Sequence, residues 1–234
     1  MRRSLQDATG ATLAVLIAGA WLALHVAGVF FLDAGRPATA LLVVLQTWLS
    51  VGLYIVAHDA MHGSLLRSRK AGERVGALAV WLYAGFGWRR LVTMHRSHHL
   101  YAGTPQDPDF APDTPSALLP WYLRFMRTYF GARECAVMAL RVGAYVLLGA
   151  RIENILLFFA VPGLLSSFQL FYFGTYLPHR HETDAAFPDR HRARSSRYDY
   201  LASLLSCFHF GYHHEHHRRP DVPWWRLPAL RRGD

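Results

Sequence analysis

The sequence predicts an all-α integral-membrane protein, with four transmembrane helices in two hairpins, a short interfacial or re-entrant helix, and a histidine-rich cap on the cytoplasmic side. Three observations lead there. Of 234 residues, 52% are hydrophobic and 18% charged, and the apolar ones arrive in uninterrupted blocks that cannot all face one soluble core. Lys and Arg gather at one end of those blocks. Histidines, 14 in all, recur at helical spacing beside that same end.

The first block, residues 11–32, is 22 long with one ionisable side chain, His25, and the second, residues 39–57, is 19 long with none. A third, residues 154–177, is 24 long without a charge, and residues 135–149 form a shorter one with Arg141 inside it. A helix rising ~1.5 Å per residue crosses a hydrocarbon layer of ~30 Å in about 20 residues, so all four read as spans. The first is too long for a signal-peptide core, and "MRRS" ahead of it fits an uncleaved anchor with its N-terminus inside. Residues 75–88, "VGALAVWLYAGFGW", are apolar but only 14 long with three glycines, which predicts an interfacial or re-entrant helix. If this segment crossed, the histidines at 95–99 would lie on the opposite face from those at 58 and 62. "TPQDPDFAPDTPSALLP", residues 104–120, reads as a loop. No soluble domain is left over, so residues 1–234 read as one membrane-embedded domain.

A net charge of +9 with histidines neutral would suggest nucleic acid on a soluble protein with interleaved aromatics. Its placement says otherwise. Of the 25 Lys and Arg, 22 lie in the N-terminus, the segment from His58 to Glu134 and the tail from His179. The positive-inside rule puts these parts in the cytoplasm, with the bacterial inner membrane as the implied location. "RARSSRY" (192–198) and "HHRRP" (216–220) read as contacts with anionic headgroups, or more sharply as a dock for an acidic electron carrier. "PWWRLP" (223–228) reads as an interfacial anchor. Cys135 and Cys207 have no CxxC spacing and read as reduced thiols.

The histidines are not scattered. "HDAMH" puts His58 and His62 at i and i+4 on one helix face. "HRSHH" adds His95, His98 and His99, where the adjacent pair diverges by roughly 100° and can serve two neighbouring ions. His213, His216 and His217 repeat H-x-x-H-H, and His179 follows Pro178 at the end of the last block. Clustered imidazoles that charged together would repel, whereas a metal ion holds neutral rings together. One tetrahedral zinc needs four ligands, so nine candidates mean at least two ions or one with spare rings. His209 stands where one more helical turn would put it beside His213, as a further ligand or a hydrogen-bond partner; His214 falls outside the register. Asp59, Asp107, Asp109, Asp189 and Glu215 are candidates for holding the far N–H of a ligand ring, with Glu215 expected to orient one. Asp113, Glu182 and Asp184 read as solvated acids. His181 and His191 read as ordinary exposed or hydrogen-bonded residues, and His25 as a polar contact between helices. No nucleophile–base pair, phosphate loop or dinucleotide fingerprint is present.

Boxes in the order H-x-x-x-H, H-x-x-H-H, H-x-x-H-H around membrane hairpins resemble the integral-membrane fatty acid desaturase and hydroxylase superfamily. "AHDAMHGSL" (57–65), "HRSHHLYAGTPQDPDF" (95–110), "FGTYLPHR" (173–180), "DRHRARSS" (189–196) and "CFHFGYHHEHH" (207–217) further resemble its bacterial β-carotene ketolase family, over about Val43 to Leu227. Tyr176 stands where that family more often has Trp. The resemblance implies a di-iron site of two non-haem iron ions held by His58, His62, His95, His98, His99, His213, His216 and His217, with His179 as the extra ligand. It implies O2-dependent oxidation of the C4 methylene of a carotenoid β-ionone ring to a ketone, with electrons from a ferredoxin-type donor. A carotenoid ring hydroxylase or fatty acid desaturase with the same centre is the nearest alternative, and a metal transporter or sensor the alternative of another class. Trp81, Tyr83, Phe168, Phe171 and Phe173 are candidates for lining the path of the polyene, or for ordinary helix packing.

Overall fold

A computed structural model describes residues 2–181, 187 and 189–232, which leaves Glu182 and Asp184 outside the described residues; those described form helices and loops without a strand. Helix α1 (Arg2–Phe30) and helix α2 (Thr39–His62) make the first hairpin. Both are apolar around nearly their whole circumference, which suits a helix immersed in lipid and other helices. Trp21 donates its indole N–H to Ser50 Oγ at 2.9 Å across the pair. Gly63, in the left-handed conformation at φ 72°, ends α2 directly after His62, a position that costs a residue with a Cβ.

Helix α3 (Arg69–Ala84) and helix α4 (Trp88–Tyr101) follow. Ser68 caps α3 by accepting from the Ala71 N–H, so the helix starts before the expected residue 75, and α4 begins at residue 88 where the expected helix ended. Helix α3 runs back against α2, the chain bends through Gly85 at φ 69°, and α4 returns to the end of α2. His62 Nε2 then lies 2.6 Å from His95 Nε2. The segment therefore does not separate the first two histidine boxes, as a shared site required.

Helix α5 (Leu118–Tyr129) buries Trp121 and Tyr129 on its inner face. Helix α6 (Ala132–Leu147) has 16 residues, about 24 Å at ~1.5 Å per residue, and falls short of a hydrocarbon layer. Among the described residues, three helical segments are long and apolar enough to cross a membrane: Leu5–Phe30, Thr39–His62 and Ile152–His179. The expected span at 135–149 falls in α6 and is not among these three, and Arg141 within it has a specific task. Its guanidinium donates to the Leu82 carbonyl at 2.8 Å and to that of Trp81, and lies 4.6 Å above the Trp81 ring. Both carbonyls lie at the C-terminus of α3, where intrahelical donors run out, and that of Trp81 also accepts from the Gly85 N–H at 2.9 Å.

Helix α7 (Ile152–His179) contains two π-helical turns, Leu156–Ala160 and Tyr172–Tyr176. Each precedes a proline by two residues, Pro162 and Pro178. A proline in a regular helix clashes with the carbonyl four residues earlier and leaves it without a donor; the wider turn relieves both. Buried Asn154 closes the other end of α7 by donating to the Gly28 and Leu32 carbonyls, each at 2.8 Å.

The remaining chain wraps the end of the bundle where α2 and α7 finish. Helix α8 (Tyr200–Cys207) leads through Phe208 and His209, both left-handed at φ 49° and 62°, into helix α9 (His213–Arg218) and, after a 3-10 turn, helix α10 (Leu227–Arg231). Trp224 is buried against Phe208 rather than set at a lipid interface, because its backbone N–H is tied to Asp59 Oδ2 at 3.0 Å.

Asn154→Ala removes two hydrogen bonds to otherwise unpaired carbonyls, a cost of about 2 kcal/mol. The expected result is a detergent-solubilised protein whose Tm falls by roughly 4–8 °C, read by thermal unfolding of the wild type and variant side by side.

Candidate metal centre

Four helix termini converge on one buried volume. The end of α2 supplies His58 and His62, the last two turns of α4 supply His95, His98 and His99, the end of α7 supplies His179, and α9 supplies His213, His216 and His217. The nine rings separate into two groups. His58, His62, His95, His99 and His216 form one, and His98, His179, His213 and His217 the other; within each, one nitrogen per ring lies within 4.8 Å of all the rest. The adjacent pairs 98/99 and 216/217 are split between the groups, as their divergence around a helix demands. The groups touch through the stacked rings of His99 and His217, with centroids 4.2 Å apart.

Two observations test whether these residues fit metal ions. Ring nitrogens face one another at hydrogen-bond distance or less: His62 and His95 at 2.6 Å, His99 and His216 at 3.1 Å, His213 and His217 at 3.0 Å. Burial, reinforced by neighbouring imidazoles, holds His95, His99, His213, His216 and His217 well below the usual histidine pKa, which keeps these rings in the neutral form that binds metal. Further nitrogens are buried without any partner, among them both of His58, Nε2 of His179 and Nδ1 of His213 and His217. Each such orphan costs about 1–3 kcal/mol, and a cation held by each group would supply a partner to one nitrogen of each ring. An all-imidazole donor set suits zinc, copper or iron.

Two rings are oriented from behind. His98 Nδ1 donates to the Asp107 carboxylate at 3.0 and 3.1 Å, which turns Nε2 toward the second group. Burial opposes a charge at His98, but Asp107 and Asp109 outweigh it and raise its pKa to about 9. At Asp107 burial is likewise outweighed by the His98 charge and hydrogen bond, so its pKa lies below the usual range. His179 Nδ1 donates to the Arg192 carbonyl at 2.7 Å, leaving Nε2 free as a ligand atom. Asp59 Oδ1 stands 3.5 Å from His58 Nδ1, close enough to act on the ring electrostatically.

Two expectations need correction. Glu215 does not orient a ligand ring: its carboxylate accepts from Ser195 Oγ and from Arg231 at 2.6 Å. Its place in α9, two residues after His213 and one before His216, turns it away from the ligand face. His209 lies outside both groups, buried among Tyr200, Tyr212 and Trp224 without a hydrogen-bond partner. The left-handed residues 208 and 209 end the helix, so no regular turn connects it to His213, and burial lowers its pKa to about 4. His214 instead meets Asp189 at 2.9 Å, and His25 meets the Tyr145 hydroxyl at 2.8 Å as an interhelical contact.

A cavity of ≈ 430 Å³ runs from the flank formed by α5, α6 and α7 to His95, His98 and His213, which close its inner end. Apolar side chains such as Phe86, Leu91, Phe125, Val142, Phe159 and Leu170 dominate its wall. Of the aromatics expected along such a path only Tyr83 lines it; Phe171 is core, and Trp81 and Phe168 lie on the outer surface. Tyr176 also stays out of the wall and donates to the Ser116 carbonyl at 2.8 Å. Asp109 and Tyr129, hydrogen-bonded to each other, stand at the polar end. Tyr129 escaped notice in the sequence because nothing marks it apart from other helical aromatics.

Asp107→Asn is expected to weaken metal binding at the His98 group by about 10–100-fold while sparing the five-histidine group. Titration of metal-free protein with Fe(II) or Co(II) reads this as one weakened site beside one unchanged.

The fatty acid desaturase family model matches two segments, residues 34–140 and 127–233. A beta-carotene ketolase from Paracoccus sp. (strain N81106 / MBIC 01143) is 52% identical, over 97% of this chain and 96% of its own length. A second, from Paracoccus sp. (strain PC1), is 49% identical over 95% of this chain and 91% of its own. A zeaxanthin 4-ketolase from Chlamydomonas reinhardtii is 38% identical over 96% of this chain and 54% of its own. With histidine groups fit for an iron centre and sequence similarity along nearly its whole length, the chain belongs to the fatty acid desaturase family, in its β-carotene ketolase branch.

Proposed function

We propose that the protein is a β-carotene 4-ketolase, which oxidises the C4 methylene of a β-ionone ring to a ketone, through echinenone to canthaxanthin. The observation that carries this reading is the inner end of the cavity. An apolar passage ends on His95 from one histidine group and on His98 and His213 from the other, so a hydrocarbon ring pushed to its end meets both groups at once.

Two iron ions, one in each group, would supply O2 activation when bound. The chain's own residues hold and orient them, exclude water with the apolar wall, and position the ring. Each oxygenation consumes one O2, two electrons and two protons; one oxygen atom enters the C–H bond and the other leaves as water. After two rounds the carbon carries two hydroxyls and loses water to give the ketone. The electrons come from outside, from a reduced ferredoxin-type protein docking on the basic cap that includes Arg192 to Tyr198. We place that cap on the cytoplasmic side of a bacterial inner membrane, with α6 and α7 as the second membrane-embedded hairpin.

Expression in cells that accumulate β-carotene tests the reaction. Canthaxanthin is the expected product; zeaxanthin or newly unsaturated acyl chains instead would show a sister activity. Purified protein should carry iron at about two per chain, and His98→Ala should abolish ketone formation. Full activity and iron content in that variant would remove the second box from the site. Exposed Cys135, near the start of α6, should react with an impermeant thiol reagent only in inside-out vesicles if the cap is cytoplasmic.

A further inference from the structure

The cavity is apolar along most of its wall, yet polar side chains outside the two histidine groups also line it. Tyr54, Tyr83, Asp109 and Tyr129 all line it, as do His95 and His98, and Asp109 stands against both His98 and Tyr129. Tyr83 is already paired with Ser166 at 3.2 Å, and Tyr129 donates its hydroxyl to Asp109 Oδ1. The Tyr54 hydroxyl has no hydrogen-bond partner among the described residues. A pure hydrocarbon ring has no use for these groups, and placing an unpaired hydroxyl in such a wall is unfavourable.

We propose that Asp109, Tyr129 and Tyr54 receive a hydroxyl on the ring carbon next to the methylene that reacts, and so determine how well the enzyme takes rings already hydroxylated at C3. This rests on the ketolase reading. Asp109 Oδ2 lies 3.7 Å from Nδ1 of His98, on the edge of that imidazole remote from the nitrogen facing the metal group. The carboxylate is therefore set back from the reacting position by the width of a ring, which suits a substituent on the neighbouring carbon. There the substrate hydroxyl donates to Asp109 Oδ2 or to the Tyr129 oxygen, and accepts from the Tyr54 O–H. The Tyr129–Asp109 pair satisfies itself when no such hydroxyl is present. A site built that way rewards a hydroxyl; a ring that lacks one leaves only the Tyr54 O–H without a partner, as it already is in the free protein, and so is still accepted.

The test is a competition in membranes containing the wild-type protein, with equimolar β-carotene and zeaxanthin, a ferredoxin reducing system, and chromatography of the ketone formed from each. Tyr129→Phe and Tyr54→Phe are each expected to shift the ratio of initial rates against zeaxanthin by roughly 5–10-fold. Tyr54→Phe breaks no hydrogen bond in the free protein, so it reads the contact to the substrate apart from folding. Variants that slow both substrates in proportion, with the ratio held within about twofold, overturn the inference. A wild-type protein that makes ketone from β-carotene but none from zeaxanthin overturns it too while leaving the ketolase reading intact. Ketone from neither substrate overturns the ketolase reading itself.

Discussion

Nine imidazoles confined to one buried volume are the constraint on which the rest of the structure depends. Left alone they are unfavourable in every protonation state: charged rings repel and are desolvated, while neutral rings leave nitrogens without partners. The structure resolves part of this tension without metal by burying the rings so deeply that most lose their protons. The part it leaves unresolved is the set of orphaned nitrogens within the two groups, where an ion would give each ring one partner. Metal binding is therefore coupled to the packing of the helix ends, as expected when ligands come from elements far apart in sequence.

The fold serves that convergence. Helices α1, α2 and α7 are the long apolar elements, and α2 and α7 deliver histidines from the same end. Helices α3 and α4 make a return that keeps the second box on that side, with Arg141 of α6 capping the turn from within the apolar layer. The lid of α8 to α10 is then fastened by single polar contacts. Asp59 takes the N–H of Trp224, and Glu215 ties α9 to Ser195 and Arg231.

Much of this was legible in the sequence because helical periodicity translates directly into a shared face. His58 with His62, and the split between His98 and His99, needed nothing more than 3.6 residues per turn. The two sharpest misreadings share a cause: both assumed a helix where the chain does something else, or a face the helix does not present. His209 looked adjacent to His213 until two consecutive left-handed residues broke the register, and no glycine or proline at 208 or 209 announced that break. Glu215 sat between ligands in sequence but on the other side of α9. The segment 135–149 reads as a span on composition, and the helix that holds it, Ala132–Leu147, has 16 residues, fewer than a hydrocarbon layer takes. The π turns of α7 were unreadable for a related reason, since Pro162 and Pro178 signal a disturbance without saying whether the helix kinks, ends or widens.

Asp107 shows why the loop between α4 and α5 belongs to the metal site and is more than a connection. Its carboxylate accepts from His98 Nδ1 and also from the backbone N–H groups of Gly103 at 2.9 Å and Asp109 at 2.8 Å. One side chain thus folds residues 103–109 around itself and aims a ligand. The Gly103 carbonyl in turn accepts from Arg192 at 3.4 Å, and the Arg192 carbonyl holds His179. Two rings of the four-histidine group are therefore oriented by a single chain of contacts through Asp107, Gly103 and Arg192. The five-histidine group has no such bracing beyond Asp59 at 3.5 Å, and relies on the rigidity of α2 and α4. The two groups differ, then, in how much freedom their ligands keep. In the four-histidine group that bracing reaches His98 and His179, while Nδ1 of His213 and of His217 stays without a hydrogen-bond partner.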